Sequence, residues 1–306
     1  MAVGPGTLPE FFPVAGVKIG IASAGIKKPG RKDVVVFELA PGARVAGIFT
    51  TNQFCAAPVV LSRRHLEQGA PRYLLINTGN ANAGTGARGM ADAERCCAEL
   101  AGQAGVRTAD VLPFSTGVIG EPLPVDKIVA ALPEALSGTR EDRWAEAASG
   151  IMTTDTRPKG ASCQVDLDGH TVTISGISKG AGMIRPNMAT MLGFIATDAN
   201  IAPDVLQGLA SELGEKSFNR ITIDSDTSTN DACMLMATGQ YSGPEITADS
   251  PLLPRLREVL QQVYLDLAHA IVRDGEGATK FVTIDVTGAG NQQEALDVAY
   301  TVAHSP

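Results

Sequence analysis

The chain has 306 residues, a net charge of −8, and is 44% hydrophobic and 5% aromatic, which is ordinary globular composition with enough apolar residues for a large core. It has no basic run, so nucleic acid and anionic membrane surfaces find no electrostatic footprint. No apolar stretch approaches the ~20 residues of a membrane span. Residues 1–13 carry neither a positive n-region nor a long apolar core, so no signal peptide is expected there.

In chain order, Val34–Leu39 follows a charged Arg31-Lys32-Asp33 turn and reads as a strand. Val45–Thr50 comes after Pro41-Gly42 and is expected to form a hairpin with it. Tyr73–Ile76 is a further strand. The polar run Asn77–Gly86 then reads as a loop, without the Gly-x-Gly-x-x-Gly spacing of a dinucleotide site. Helices are expected over Met90–Ala104 and Asp126–Leu136, the second opened by Pro124. Gln164–Ile177 reads as a hairpin turning at Asp168-Gly169. Pro203–Glu215 is expected to be a helix, Ile221–Asp224 and Met234–Gly239 strands, and Leu256–Val272 a helix with one apolar stripe. Phe281–Val286 reads as a final strand. An apolar helix-like run of Leu296, Val298, Ala299, Val302 and Ala303 closes the chain.

Strands and helices alternate without the rhythm of βαβ units, which points to an α+β layered fold. The cysteines Cys55, Cys96, Cys97, Cys163 and Cys233 are odd in number and form no Cys-x-x-Cys pair. No zinc site or other metal site is expected, and the pattern suits a reducing cytoplasm. Cys96 and Cys97 read as buried small hydrophobes in a helix.

The stretch with chemical promise is Lys179-Gly180-Ala181-Gly182-Met183-Ile184-Arg185-Pro186-Asn187-Met188-Ala189-Thr190, continuing to Asp198. It places one hydroxyl, Thr190, in an apolar run after a Pro-Asn turn. On residue types alone, a core threonine in a loop leading to a buried element is the plainer reading. A threonine hydroxyl needs an adjacent base. Cutting the bond before Thr190 would free an α-amine with a pKa of about 8, able to take the hydroxyl proton near neutral pH.

This run resembles the processing site of the ornithine acetyltransferase family, also called bifunctional glutamate N-acetyltransferase. The resemblance extends through Arg31-Lys32-Asp33, Phe54-Cys55-Ala56-Ala57-Pro58, Asn77-Thr78-Gly79-Asn80-Ala81-Asn82, and Ser115-Thr116-Gly117-Val118-Ile119-Gly120. It continues in Met152-Thr153-Thr154-Asp155-Thr156, Asp226-Thr227-Ser228-Thr229-Asn230-Asp231 and Gly275-Glu276-Gly277-Ala278-Thr279-Lys280.

The resemblance implies a self-processing αββα sandwich, cut between Ala189 and Thr190 into an α chain (1–189) and a β chain (190–306). It implies Thr190 as the nucleophile that carries acetyl from N-acetylornithine to glutamate in ping-pong order, with no cofactor. It implies Thr116 and Gly117 as the oxyanion pair, and Thr153, Lys179, Thr190 and Glu276 as substrate-binding positions. A lysine would suit a substrate carboxylate and a glutamate its ammonium. The resemblance further implies a heterotetramer of two α and two β chains in the cytoplasm, and leaves open whether acetyl-CoA is also a donor. The polar run Asp226–Asp231 is expected to be a self-bonded supporting turn.

Two departures stand out. Ser225 occupies a position where the family usually has glycine, so a positive φ there would be strained. Family members also continue past residue 306 and draw further substrate-binding residues from that segment. Two other readings remain: a self-processing amidase or aminopeptidase that passes acyl groups to water, and an inactive truncated relative.

Overall fold

The computed structural model describes residues 2–4, 6–185 and 191–305. Two β-sheets stack face to face, and helices cover both outer faces. The first sheet has strand order β1-β2-β4-β5, from β1 (Val17–Ala22), β2 (Val34–Leu39), β4 (Tyr73–Asn80) and β5 (Val111–Val118). The second has order β3-β9-β8-β7-β6, from β3 (Arg44–Phe49), β6 (Lys159–Leu167), β7 (His170–Lys179), β8 (Leu192–Thr197) and β9 (Ala232–Ala237). Both sheets are mixed, with β4–β5 and β8–β9 parallel and the other pairs antiparallel.

The inner faces share one core. Phe194 of β8 lies 5.5 Å, centroid to centroid, from Phe37 of β2 and 5.1 Å from Phe114 of β5, so three strands of two sheets are joined through aromatic contacts. Each such buried ring contributes on the order of 2–3 kcal/mol. On the outer face of the first sheet pack α1 (Ala57–Gln68), α2 (Gly86–Ala104) and α3 (Val125–Ser137). On that of the second sheet pack α5 (Pro203–Glu215) and α6 (Leu253–Arg273). A short α4 (Trp144–Gly150) drives Trp144 into the central core. This is the expected αββα arrangement.

Several local expectations need correction. β2 and β3 do not form a hairpin: residues 40–43 carry the chain from one sheet to the other. β2 is buried on both faces and needs a partner on each side, which β1 and β4 supply. The polar run after Tyr73 stays in the strand through Asn80, and the helix after it starts at Gly86, four residues early.

Ile221–Asp224 is not a strand. Its carboxylate Asp224 accepts the N–H groups of Met183 and Ile184 (the latter at 2.8 Å), and Ile223 N–H donates to Ile184 O at 2.9 Å. Phe281–Val286 is unpaired among the described residues, with Val282 71% exposed. Phe281 instead packs on α6, its ring 4.1 Å from the Arg273 guanidinium and 5.2 Å from the His269 ring. The apolar run near residue 300 is helical, α7 (Gln292–Ala303). Val298 and Val302 on it are half exposed, and His304 just beyond it reaches Thr222 Oγ1 at 3.1 Å.

Elsewhere the chemistry acts as expected. The β6–β7 hairpin turns at Asp168 (φ +56°) and Gly169 (φ +81°). Cys96 and Cys97 are buried in α2, and burial pushes the Cys96 thiol up to about 12. Ser225 sits at φ +66°, a left-handed conformation that costs a non-glycine residue roughly 1–2 kcal/mol. Ser225→Gly is therefore expected to raise the urea midpoint by a net stabilisation of up to about 1 kcal/mol, once the extra freedom of unfolded glycine is subtracted. A lowered midpoint would show that the serine hydroxyl contributes more than its backbone costs.

Candidate active site

The ends of β5 and β7, the start of β8 and the turn after α6 converge on one buried polar cluster. Thr116 and Gly117 lie near the C-terminal end of β5, in register with Thr78 and Gly79 of β4. Gly117 has φ +137°, and a Cβ there would lie 2.6 Å from Asn80 N and 2.7 Å from Gly79 Cα. Backbone cannot retreat as a side-chain tip can, so only glycine fits.

Asparagines hold this strand end. Ser115 Oγ donates to Asn77 Oδ1 at 2.6 Å, and Asn77 Nδ2 donates to Asn80 O at 2.9 Å. Asn230 Nδ2 donates to both Ser115 O (2.9 Å) and Ala81 O (2.7 Å). The Asn77–Asn82 segment thus works as scaffolding for β5, and the Asp226–Asp231 segment as its brace, with Asn230 N–H closing a local turn onto Ser228 Oγ.

Lys179 is the last residue of β7 and pairs with Leu192 at the start of β8. Its side chain is buried, and its ammonium donates to Thr116 Oγ1 at 3.1 Å. Burial lowers its pKa, opposed by the nearby carboxylates of Asp155, Asp231 and Glu276. Next to Leu192, Met191 N–H donates to Asp231 Oδ1 at 2.7 Å. Asp231 is fully buried, its Oδ2 makes no hydrogen bond among the described residues, and burial pushes its carboxyl well above the usual range. Ala189 and Thr190 lie outside the described residues; in the sequence Thr190 directly precedes the anchored Met191.

Thr153 and Glu276 are tied to Lys179 through buried charge. Lys159 Nζ lies 2.6 Å from Asp155 Oδ1 and 2.6 Å from Asp274 Oδ2, with all three side chains 0–1% exposed. Asp155 also accepts Gly180 N–H at 2.7 Å and Thr153 N–H at 3.0 Å. Burial pushes the Asp155 carboxyl up, but Lys179, Lys159 and the Gly180 N–H outweigh it and bring it down to about 2. Asp274 accepts Thr156 N–H at 3.0 Å as well as the Thr156 hydroxyl.

Two residues past Asp274, Glu276 donates its N–H to Ala181 O at 2.6 Å and keeps its carboxylate exposed beside Gly182. Thr153 is half-buried and Thr154 exposed. Of the residues singled out in the sequence, Lys179 and Thr116 touch directly. Thr153 and Glu276 are joined to them through Asp155, Lys159 and Asp274.

Sequence reasoning missed that trio and Asp231. A lysine opening the apolar β6–β7 hairpin was the available signal for Lys159. Among the described residues, no group of three or more His, Cys, Asp or Glu is placed to hold a metal ion, and no helix is long and apolar enough to cross a membrane.

Compared with known proteins, residues 18–306 match the model of the ArgJ family. The chain belongs to the ArgJ family. It is 64% identical over 307 residues to the arginine biosynthesis bifunctional protein ArgJ of Pseudomonas fluorescens, covering all of this chain and 76% of that one. It is 62% identical, with the same coverage, to the ArgJ protein of Pseudomonas syringae pv. tomato. A solved ornithine acetyltransferase from Mycobacterium tuberculosis, in complex with ornithine, is 33% identical with a TM-score of 0.50, over 57% of this chain and 92% of that one. The L-aminopeptidase D-Ala-esterase/amidase of Ochrobactrum anthropi, a variant of the Ntn-hydrolase fold, has a TM-score of 0.54 at 12% identity over 89% and 88% of the two chains. That last likeness concerns the fold alone. As an ArgJ-family member, the chain is an enzyme of arginine biosynthesis, an acyltransferase.

Proposed function

We propose that the chain cuts itself between Ala189 and Thr190 and then moves acetyl from N-acetylornithine to glutamate through an ester on Thr190. In the cut, Thr190 Oγ attacks the Ala189 carbonyl, the peptide nitrogen leaves, and water hydrolyses the resulting ester. The products are 1–189 with a new carboxylate and 190–306 with a free α-amine.

In catalysis that amine takes the Thr190 hydroxyl proton while Oγ attacks the acetyl carbonyl of N-acetylornithine. The Thr116 hydroxyl and Gly117 N–H stabilise the oxyanion. Collapse returns the proton to the departing ornithine amine and leaves acetyl on Thr190. The amine of glutamate then attacks that ester, and N-acetylglutamate leaves.

The observation that carries this reading is the convergence of Thr116, Lys179 and the anchored Met191 on one buried polar cluster in an ArgJ-family chain. A second observation supports the cut. Fifty-seven per cent of 306 residues is about 174 positions, and these fill 92% of the solved Mycobacterium chain, so that chain is about 190 residues long. This is the length of the piece 1–189. Exposed Glu276 suits the ammonium of an amino-acid substrate, and Thr153 lies on the loop braced by Asp155. The pieces are proposed to assemble as two α and two β chains in the cytoplasm, where five unpaired cysteines are at home. The Pseudomonas relatives are named bifunctional, which supports acetyl-CoA as a second donor.

The test is the fate of the acetyl group. With acetyl-labelled N-acetylornithine and glutamate, the label is expected in N-acetylglutamate, with parallel lines in double-reciprocal initial-rate plots. Label released as free acetate at the same rate with or without glutamate would instead make the chain an amidase.

A further inference from the structure

Lys179 was expected to meet a substrate carboxylate, yet its side chain is buried and its ammonium faces Thr116 Oγ1 at 3.1 Å. An ammonium has three donors and no lone pair, so in this contact Thr116 must accept. A hydroxyl has a single proton. With one lone pair held by Lys179, that proton must point to another acceptor, and among the described residues none takes it. Thr78 lies beside Thr116 on this face. It pairs with Thr116 across the β4–β5 ladder, so both side chains leave the same face of the sheet, and its buried Oγ1 also has no partner among the described residues.

The geometry points to Lys179 as a positioning residue that acts through Thr116: its ammonium locks the Thr116 hydroxyl with the proton directed at the acyl oxygen. This rests on the proposed role of Thr116 in the oxyanion pair and adds what makes that hydroxyl a donor. Only the protonated lysine can do it. A neutral amine has a lone pair and can itself accept the Thr116 proton, turning the hydroxyl away from the substrate.

The groups facing Lys179 are Asp155, Lys159, Asp231 and Glu276. Burial and the Lys159 ammonium favour its neutral form, and Asp155, Glu276 and, where ionised, Asp231 favour the charged form. The device therefore fails as pH rises through the lowered lysine pKa, giving acetyl transfer an alkaline limb. The acidic limb belongs to the Thr190 α-amine.

The experiment compares kcat, KM and pH profiles of wild type, Thr116→Val, Thr116→Ser, Lys179→Met and the Thr116→Val/Lys179→Met double variant. Removing one oxyanion donor typically costs about 100-fold or more in kcat. Thr116→Val and Lys179→Met are each expected to lose about that much. The double variant is expected to stay within about threefold of Thr116→Val alone, because both changes disable one device. Thr116→Ser is expected to keep the alkaline limb and Thr116→Val to lose it. For a variant that is not cut, the rate of self-cleavage followed by intact mass replaces kcat, since that step builds the same oxyanion.

Multiplicative losses in the double variant, or a Lys179→Met change confined to KM, would overturn the inference and return Lys179 to carboxylate binding. If Lys179→Met does not fold, the two Thr116 variants decide, and an alkaline limb that survives in Thr116→Val overturns it. An unchanged kcat in Thr116→Val is a different failure: it removes Thr116 from the oxyanion pair, and the inference with it.

Discussion

Thr190→Ala is expected to leave a single uncut polypeptide of 31.7 kDa and to lower acetyl transfer by more than about 10⁴-fold, the scale on which removing a covalent nucleophile acts. In the proposed mechanism alanine removes the one oxygen that both attacks the Ala189 carbonyl and later carries the acetyl group. Thr190→Ser keeps that oxygen and is expected to be cut more slowly and to retain partial transfer. The pair separates chemistry from folding. Met191 is held by Asp231 through its backbone, which neither substitution touches, so both variants should keep the folded circular-dichroism spectrum of wild type. A cut Thr190→Ala chain would place the scissile bond elsewhere. An uncut Thr190→Ala chain with full activity would remove Thr190 from the mechanism.

The second large effect is expected at a residue that does no chemistry. Lys159→Met removes the cation between Asp155 and Asp274, and the three side chains are 0–1% exposed. Asp274 is then left buried without its ion-pair partner and Asp155 with Lys179 alone, which typically costs 3–5 kcal/mol. The loss should also reach function, because this trio connects the Thr153 loop, the Lys179-Gly180 segment and the Glu276 turn.

The pH dependence follows from Asp155. Its folded pKa is lowered from 3.8 to about 2, so its contribution is fully present above the unfolded value and is lost as pH falls from about 4 through 2. In Lys159→Met the carboxylates can relieve their burial by taking protons. The gap in stability between variant and wild type should therefore be widest at pH 7 and shrink toward pH 4. Urea denaturation at several pH values measures it. A Lys159→Met chain with the wild-type midpoint at pH 7 would mean that water or another cation compensates the two carboxylates.

How much of this was legible in the sequence depended on whether the signal was local. The β6–β7 hairpin was readable because Asp168-Gly169 supplies the two left-handed residues of a tight turn. The helix Pro203–Glu215 was readable to the residue, since proline marks its first turn and one apolar stripe runs its length. Phe281–Val286 and Ile221–Asp224 show why alternation alone misleads. A strand forms only where a neighbouring strand can bond its backbone, and neither segment has one among the described residues.

β2 and β3 erred in the opposite sense: both are strands, but the turn between them joins layers and not neighbours. At the site, the distinctive segments were visible, while the connections among them were not. Lys159 and Asp274 are 115 residues apart in sequence, and a lysine in isolation reads as a surface charge until a fold buries it.

Whether Thr190 becomes an acyl carrier once the chain is cut before it is tested most directly by intact mass spectrometry of the purified protein. Two species are expected, with masses that match 1–189 and 190–306. After mixing with N-acetylornithine and no acceptor, only the second should gain the mass of one acetyl group, and glutamate should remove it. A single uncut species that remains unmodified by N-acetylornithine, from a preparation that still makes N-acetylglutamate, would contradict that role of Thr190.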